Sequence, residues 1–240
     1  MSQKIKPVVD LERLRVEYNR SKAPIMIGVV SGDMVHADFA FCLTQLFGDL
    51  LSRGYNSGVG NIKATLIDQG RNMVVREALR AGCSHLLCID SDMAFPPDAA
   101  ARLLSHDKDI VGVTYCTRRA PFLLVHHNFG FDELLRTLEQ DSGIYKVKSL
   151  PCGMMLIKMS VFKAMLETGN VPVDSRGQHC WFASNIIKEE GEDVAFCRLA
   201  RKHGFDVWLD VDLSRAVRHC GQHYYSIDDA KPAGLHGEPL

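Results

Sequence analysis

"CIDSDMAF", residues 88–95, is the stretch on which the reading of this chain turns. It ends the apolar run HLLCI (85–89) with two aspartates one residue apart, Asp90 and Asp92, and Pro96 and Pro97 follow shortly after. Carboxylates at the end of a buried segment are costly unless a cation or hydrogen-bond donors offset their desolvation. Residues i and i+2 of a strand point to the same side, so both are expected to face one point at the edge of a sheet. Two hard oxygen donors in open geometry suit Mg²⁺ or Mn²⁺, with the remaining positions shared by water and a diphosphate. An acidic turn capping the next helix is the competing reading, and the triplet alone does not separate the two.

The flanking sequence supplies the frame. "IMIGVVSGD" (25–33) is a continuous apolar run ending in small residues, the pattern of a buried strand feeding a loop. "FAFCLTQLFGDLLSRG" (39–54) sets Phe39, Leu43, Leu46 and Leu50 close to helical spacing, with Gly54 as its stop. "IKATLI" (62–67) is strand-like, and "RNMVVREALRAG" (71–82) reads as a helix closed by Gly82. Beyond the acidic pair, "PPDAAARLLSH" predicts a helix with prolines in its first turn. "DIVGVTY" (109–115) and "MMLIK" (154–158) predict buried strands, and "SVFKAMLE" (160–167) a helix capped by Ser160. "GEDVAFCRLARKHG" (191–204) predicts a helix ended by Gly204, and "FDVWLDV" (205–211) alternates with period two.

Strands alternating with helices predict an α/β/α sandwich around a largely parallel sheet. In such sheets ligands collect at the carboxyl ends of the strands, where the acidic pair falls. The expected organisation is a charged arm over 1–23, one domain over 24–225 and a tail over 226–240.

Composition excludes rather than assigns. The 240 residues are 46% hydrophobic and 24% charged, enough for a full core. The formal net charge of −1 gives no broad attraction to nucleic acid or anionic lipid. No apolar run approaches the ~20 residues that span a bilayer, so no membrane partner is expected. Eight cysteines without a CxxC pair read as free thiols, and the expected location is the cytoplasm.

In order, these segments resemble GT-A fold, nucleotide-sugar-dependent glycosyltransferases, especially the short, soluble, family 2-like enzymes of bacteria and phages. The resemblance runs from about Ile25 to Gly221. It rests on "IMIGVVSGD", "GRNMVVREAL", the DxD segment "LLCIDSDMAFPPDAAARLL", "DIVGVTY", "PCGMMLIKMSVFKAM", the xED-like "GEDVAFCRLARKHGFDVWLDVDL" and the terminal "RHCG". The first strand lacks the Pro-Thr-Tyr-Asn run common in that family, and no aromatic-rich acceptor segment aligns across 118–148.

The resemblance implies a Rossmann-like GT-A fold and a divalent metal, Mn²⁺ or Mg²⁺. It also implies a nucleotide-diphosphate sugar donor, with a UDP-sugar the first choice. Asp92 would ligate the metal, Asp90 would approach the ribose or the metal through water, and His219 would complete the metal site or touch the diphosphate. Arg71 and Asn72 would lie near the nucleotide, and Gly153 would allow close backbone approach to substrate. A hydroxyl acceptor is a weak nucleophile and needs a carboxylate to take its proton. Asp193 would be that base, with Glu192 orienting the acceptor, and the transfer would invert the anomeric centre. For a phage-encoded enzyme the location would be the host cytoplasm.

The acceptor is the least defined part. A hydroxymethylated DNA base, a glycan or a small metabolite all remain open. Arg118, Arg119, Lys146 and Lys148 offer local positive charge for DNA. Trp181 and Phe182 are either a stacking platform or a hydrophobic anchor for their loop. Other readings are a nucleotidyltransferase, weakened by the lack of a Gly-rich phosphate loop, a non-catalytic sugar-nucleotide or glycan-binding module, and a structural zinc at His219, Cys220 and His223. The adjacent His126 and His127 point apart if extended and do not suggest a paired site.

Overall fold

The computed structural model describes residues 24–118, 142–184, 190–221 and 224–226. The expected arm, nearly all of the tail, Arg119, the His126–His127 pair and His223 lie outside the described residues.

A seven-stranded sheet forms the centre, in the order β2-β1-β3-β7-β5-β8-β6. Its strands are β1 (Ile25–Ser31), β2 (Ser57–Lys63), β3 (His85–Asp90), β5 (Ile110–Gly112), β6 (Ile144–Val147), β7 (Met154–Lys158) and β8 (Val207–Asp210). β1, β2, β3, β5 and β8 run one way, while β7 and β6 run against them. A small second sheet, in the order β10-β9-β4, joins β4 (Met93–Ala94), β9 (Arg218–Cys220) and β10 (Tyr224–Tyr225).

The central strands are apolar on both faces because helices cover both. Along β3, Leu86 and Cys88 enter one core cluster and Leu87 and Ile89 the other, as alternation along a strand requires. The first cluster takes in α2 (Ile67–Arg80), α4 (Met159–Glu167) and α5 (Glu192–Lys202) through Val74, Val75, Phe162, Met165, Phe196 and Ala200. The second takes in α1 (Ala37–Ser52) and α3 (Ala99–Ser105) through Phe39, Leu46, Leu50 and Leu103. This is the expected α/β/α sandwich with a mostly parallel sheet, and among the described residues no helix is long and apolar enough to cross a membrane.

Three local expectations are corrected. The second strand is Ser57–Lys63 rather than 62–67, and α2 begins at Ile67, before Arg71. β2 is an edge strand bonded only to β1, so Gly58 and Gly60 disguise it without disabling it. Ser160 does not cap α4; β7 runs straight into the helix with Lys158 at the cap. "FDVWLDV" is strand only to Asp210, whose carboxylate accepts the Leu213 N–H at 2.8 Å and starts α6 (Val211–Ala216).

Asp90 closes β3, and the turn at Ser91–Asp92 leads into β4. Since β7 is antiparallel, its entry is level with that point: the Asp90 N–H donates to the Gly153 carbonyl at 3.2 Å. Gly112 on β5 is what lets β7 approach. A Cβ there would lie 2.6 Å from the Met154 carbonyl oxygen and 3.1 Å from Met155 Cα, backbone that cannot step aside. Gly112→Ala is therefore expected to lose about 1–3 kcal/mol in urea unfolding. Gly58→Ala, where a Cβ meets nothing within 4 Å, should stay within about 0.5 kcal/mol of the parent. Equal values for the two would contradict this packing.

Candidate active site

The carboxyl edge of the sheet gathers most of the residues singled out from sequence, in an arrangement the spacing alone did not foretell. Because β3 stops at Asp90 and turns, the two aspartates do not share one point. Asp90 goes to Arg71 and Asp92 to His219 and Arg118.

Arg71, on the inner face of α2, is only 4% exposed. Its guanidinium donates to Asp90 Oδ1 at 2.8 Å and to Glu192 Oε1 at the start of α5. Burial works against its charge, but the surrounding negative groups, Asp90 among them, outweigh that and hold it protonated. The geometry commits Arg71 to two protein carboxylates, on the strand end and on the helix start. Asn72 faces another way. Its amide donates to the carbonyls of Asp68 at 2.8 Å and Phe182 at 2.6 Å and accepts the Phe182 N–H at 3.0 Å. It clamps the loop leading towards α5, whose Trp181 and Phe182 are buried against Phe162 and Phe196. Those two rings are the hydrophobic anchor of that loop.

Asp92 and His219 meet through strand pairing. β9 lies antiparallel to β4, with Met93 opposite His219, and the Cys220 N–H donates to the Asp92 carbonyl at 2.7 Å. This sets His219 Nε2 3.4 Å from Asp92 Oδ2. The other ring nitrogen, Nδ1, donates to the Cys116 carbonyl at 2.9 Å, which fixes the ring and aims Nε2 at the carboxylate. Burial raises the Asp92 carboxyl, yet His219 and then Arg118 outweigh it and hold it below the usual carboxylate range. Arg118 Nη1 reaches Oδ2 at 2.9 Å, while Oδ1 is buried with no hydrogen-bond partner.

An orphaned buried carboxylate oxygen beside an oriented imidazole fits a divalent cation. The mixed oxygen and nitrogen donors favour Mn²⁺ over Mg²⁺, which prefers oxygen alone. Among the described residues no group of three His, Cys, Asp or Glu side chains could hold a metal. Of the residues named for zinc, His219 and Cys220 lie on a strand.

Tyr115, which sequence reasoning passed over as the end of a strand, joins the two halves. Its ring meets His219 edge-on at 4.9 Å between centroids, and its hydroxyl accepts the Gly153 N–H at 3.1 Å. A Cβ on Gly153 would overlap the ring, so here the glycine makes room for tyrosine. Burial, and then the charges of Asp90 and Asp193, push the phenol well above its ordinary range. It stays a neutral hydroxyl near both acids. Asp193 follows Glu192 in the first turn of α5, where the helix dipole favours negative charge. Its Oδ1 accepts the Val194 N–H at 2.8 Å. A polar cleft lined by Asp68, Arg76 and Asp174 runs along the outer side of α2 and includes none of the four acids.

Of the charges considered for DNA, Arg118 is paired with Asp92 and Lys146 with Asp206 at 2.6 Å.

No protein-family model matches this sequence, and no curated protein matches it. Among solved structures the chain is similar to A197 from STIV. The TM-score is 0.51 over 87% of this chain and 92% of that one, at 14% identity. At that identity the likeness is one of fold. The architecture is a Rossmann-like α/β fold of the GT-A kind.

If the Arg71 bridge organises this edge, Arg71→Met should cost about 3–5 kcal/mol in urea unfolding, since it strands two half-buried carboxylates. Arg71→Lys should recover only part, because an ammonium lacks the planar fork. A loss under about 0.5 kcal/mol for Arg71→Met would mean the carboxylates find other partners.

Proposed function

We propose that this protein is a metal-dependent glycosyltransferase. It moves a sugar from a nucleoside-diphosphate sugar, first a UDP-sugar, to an acceptor hydroxyl with inversion. The observation that carries the reading is Asp92 Oδ1, a buried oxygen without a partner beside an oriented His219 at the carboxyl edge of a GT-A-like fold. Asp92 and His219 would hold the cation, which when bound offsets negative charge on a diphosphate leaving group.

The remaining work falls to the chain's own residues. Asp193 takes the proton of the acceptor hydroxyl as its oxygen forms a bond to the anomeric carbon. The bond from that carbon to the diphosphate oxygen breaks with its electrons leaving on the diphosphate. One displacement of this kind inverts the centre. Glu192, tied to Arg71, fixes the start of α5 and with it the place of Asp193. Arg71 acts from within the protein and positions Asp90 and Glu192. Tyr115 keeps its proton and, buried against the His219 ring and bonded to the Gly153 N–H, steadies the imidazole. The acceptor hydroxyl belongs to a glycan, a small hydroxyl compound or a hydroxymethylated DNA base.

Titration calorimetry with UDP, with and without Mn²⁺, tests the donor half. Binding should require Mn²⁺, and Asp92→Ala should abolish it while the melting temperature changes little. Metal-independent affinity that survives Asp92→Ala would refute the assignment. Asp193→Asn tests the other half. It should keep UDP binding and lower sugar transfer by ~10²–10⁴, the usual range for a lost general base. Near-parental transfer would remove Asp193 from the role, and a matching collapse in Glu192→Gln alone would move the role there.

A further inference from the structure

The Asp92 carboxylate has two claimants. His219 approaches Oδ2 at 3.4 Å, and the Arg118 guanidinium holds the same oxygen at 2.9 Å. Arg118 also donates to the Cys220 carbonyl, at 3.3 Å. It is 45% exposed, whereas Asp92 is 27% and His219 14% exposed. A cation of the protein's own thus stands at the open side of the pair, on Oδ2 and beside the orphaned Oδ1 that a metal would take. The orphaned Oδ1 on the same carboxylate shows that one arginine does not satisfy this site.

A divalent ion and a guanidinium cannot both sit on one carboxylate without repulsion. At 4 Å, two unit charges interact by about 4 kcal/mol at the effective dielectric of a protein surface, and a divalent ion doubles that. Metal entering alone must therefore displace Arg118 and leave it facing a new positive charge. A nucleoside diphosphate arriving with the metal changes the balance. Its oxygens offer the planar guanidinium a two-pronged anionic partner in place of the single Asp92 oxygen it leaves. Arg118 already lies at the mouth of the site, so a change of side-chain rotamers moves it between the two partners.

We propose that Arg118 keeps the Asp92–His219 site closed to metal alone and is the diphosphate-binding arginine of the donor complex, so that metal and nucleoside diphosphate bind as a pair. This rests on the glycosyltransferase reading and adds to it an order of assembly and a residue that makes the order. By linkage, Mn²⁺ must raise the affinity for UDP by the same factor as UDP raises the affinity for Mn²⁺. Arg118 enlarges that factor from both sides. It opposes Mn²⁺ when UDP is absent and holds UDP once Mn²⁺ is present.

The test uses the full chain, Mn²⁺ and UDP, with free Mn²⁺ read by electron paramagnetic resonance and UDP binding by calorimetry. In Arg118→Met, Mn²⁺ alone should bind more tightly than in the parent, by ~5-fold or more, while UDP in saturating Mn²⁺ should bind ~10-fold more weakly. The coupling factor should fall accordingly, within the 5–150-fold range of such effects. Arg118→Lys should sit between the two, because it keeps the charge and loses the fork. If Arg118→Met leaves Mn²⁺ affinity unchanged or weakens it, Arg118 does not guard the site and the proposal fails. If UDP affinity is unchanged, Arg118 is not its diphosphate ligand and the proposal fails there. A parent protein that binds neither Mn²⁺ nor UDP overturns the glycosyltransferase reading itself, and this inference with it.

Discussion

A guanidinium buried between two carboxylates from different parts of the chain is the constraint on which the rest of this edge depends. Arg71 lies on α2, Asp90 ends β3 and Glu192 begins α5, so one side chain fixes three elements that are distant in sequence. Removing a charge from water is costly, and both Arg71 contacts are needed to offset it. Once the link is made, α5 cannot slide along the sheet without breaking an ion pair, and β3 cannot extend past Asp90 without pulling it from its partner. The turn at Ser91–Asp92 follows. It delivers Asp92 to β4 and so to His219 across the β4–β9 pairing.

Much of the frame was legible because it follows from burial. A strand covered on both faces is apolar along its buried length, and β1, β3 and β7 are so apart from polar residues at their ends. The helices announce themselves by apolar spacing and by the glycines that end them, Gly54, Gly82 and Gly204, all at positive φ. What escaped were elements whose sequence serves two ends. β2 is an edge strand and tolerates glycine, β8 turns into a helix at a residue that reads as continued strand, and β6 is a short piece on the far edge of the sheet.

The site was legible as a set of residues and not as an arrangement. Asp90, Asp92, Glu192, Asp193, Arg71 and His219 lie on elements that meet at one edge, but strand spacing said that the two aspartates share a target, and they do not. Spacing describes a strand only while it lasts, and β3 ends at the first of them. Asn72 turned out to be a clamp on the loop at Phe182, and Gly153 the space for the Tyr115 ring. Tyr115 itself carried a faint signal, an aromatic with a hydroxyl just past a strand at the ligand edge. Its importance comes from contacts with His219 and Gly153, each far from it in sequence.

The central claim is that Asp92 and His219 hold a divalent cation together with a nucleoside diphosphate. Histidine ring resonances, followed by NMR as substoichiometric Mn²⁺ is added in the presence of UDP, test it most directly. The sequence carries ten histidines, six of them among the described residues. Of those six, His219 should broaden first and most, followed by His36, whose N–H is bonded to the Ser91 carbonyl. His85, at the opposite end of β3, should keep its line width. Broadening centred on another histidine, or a His219 signal that Mn²⁺ with UDP leaves sharp, would contradict the account.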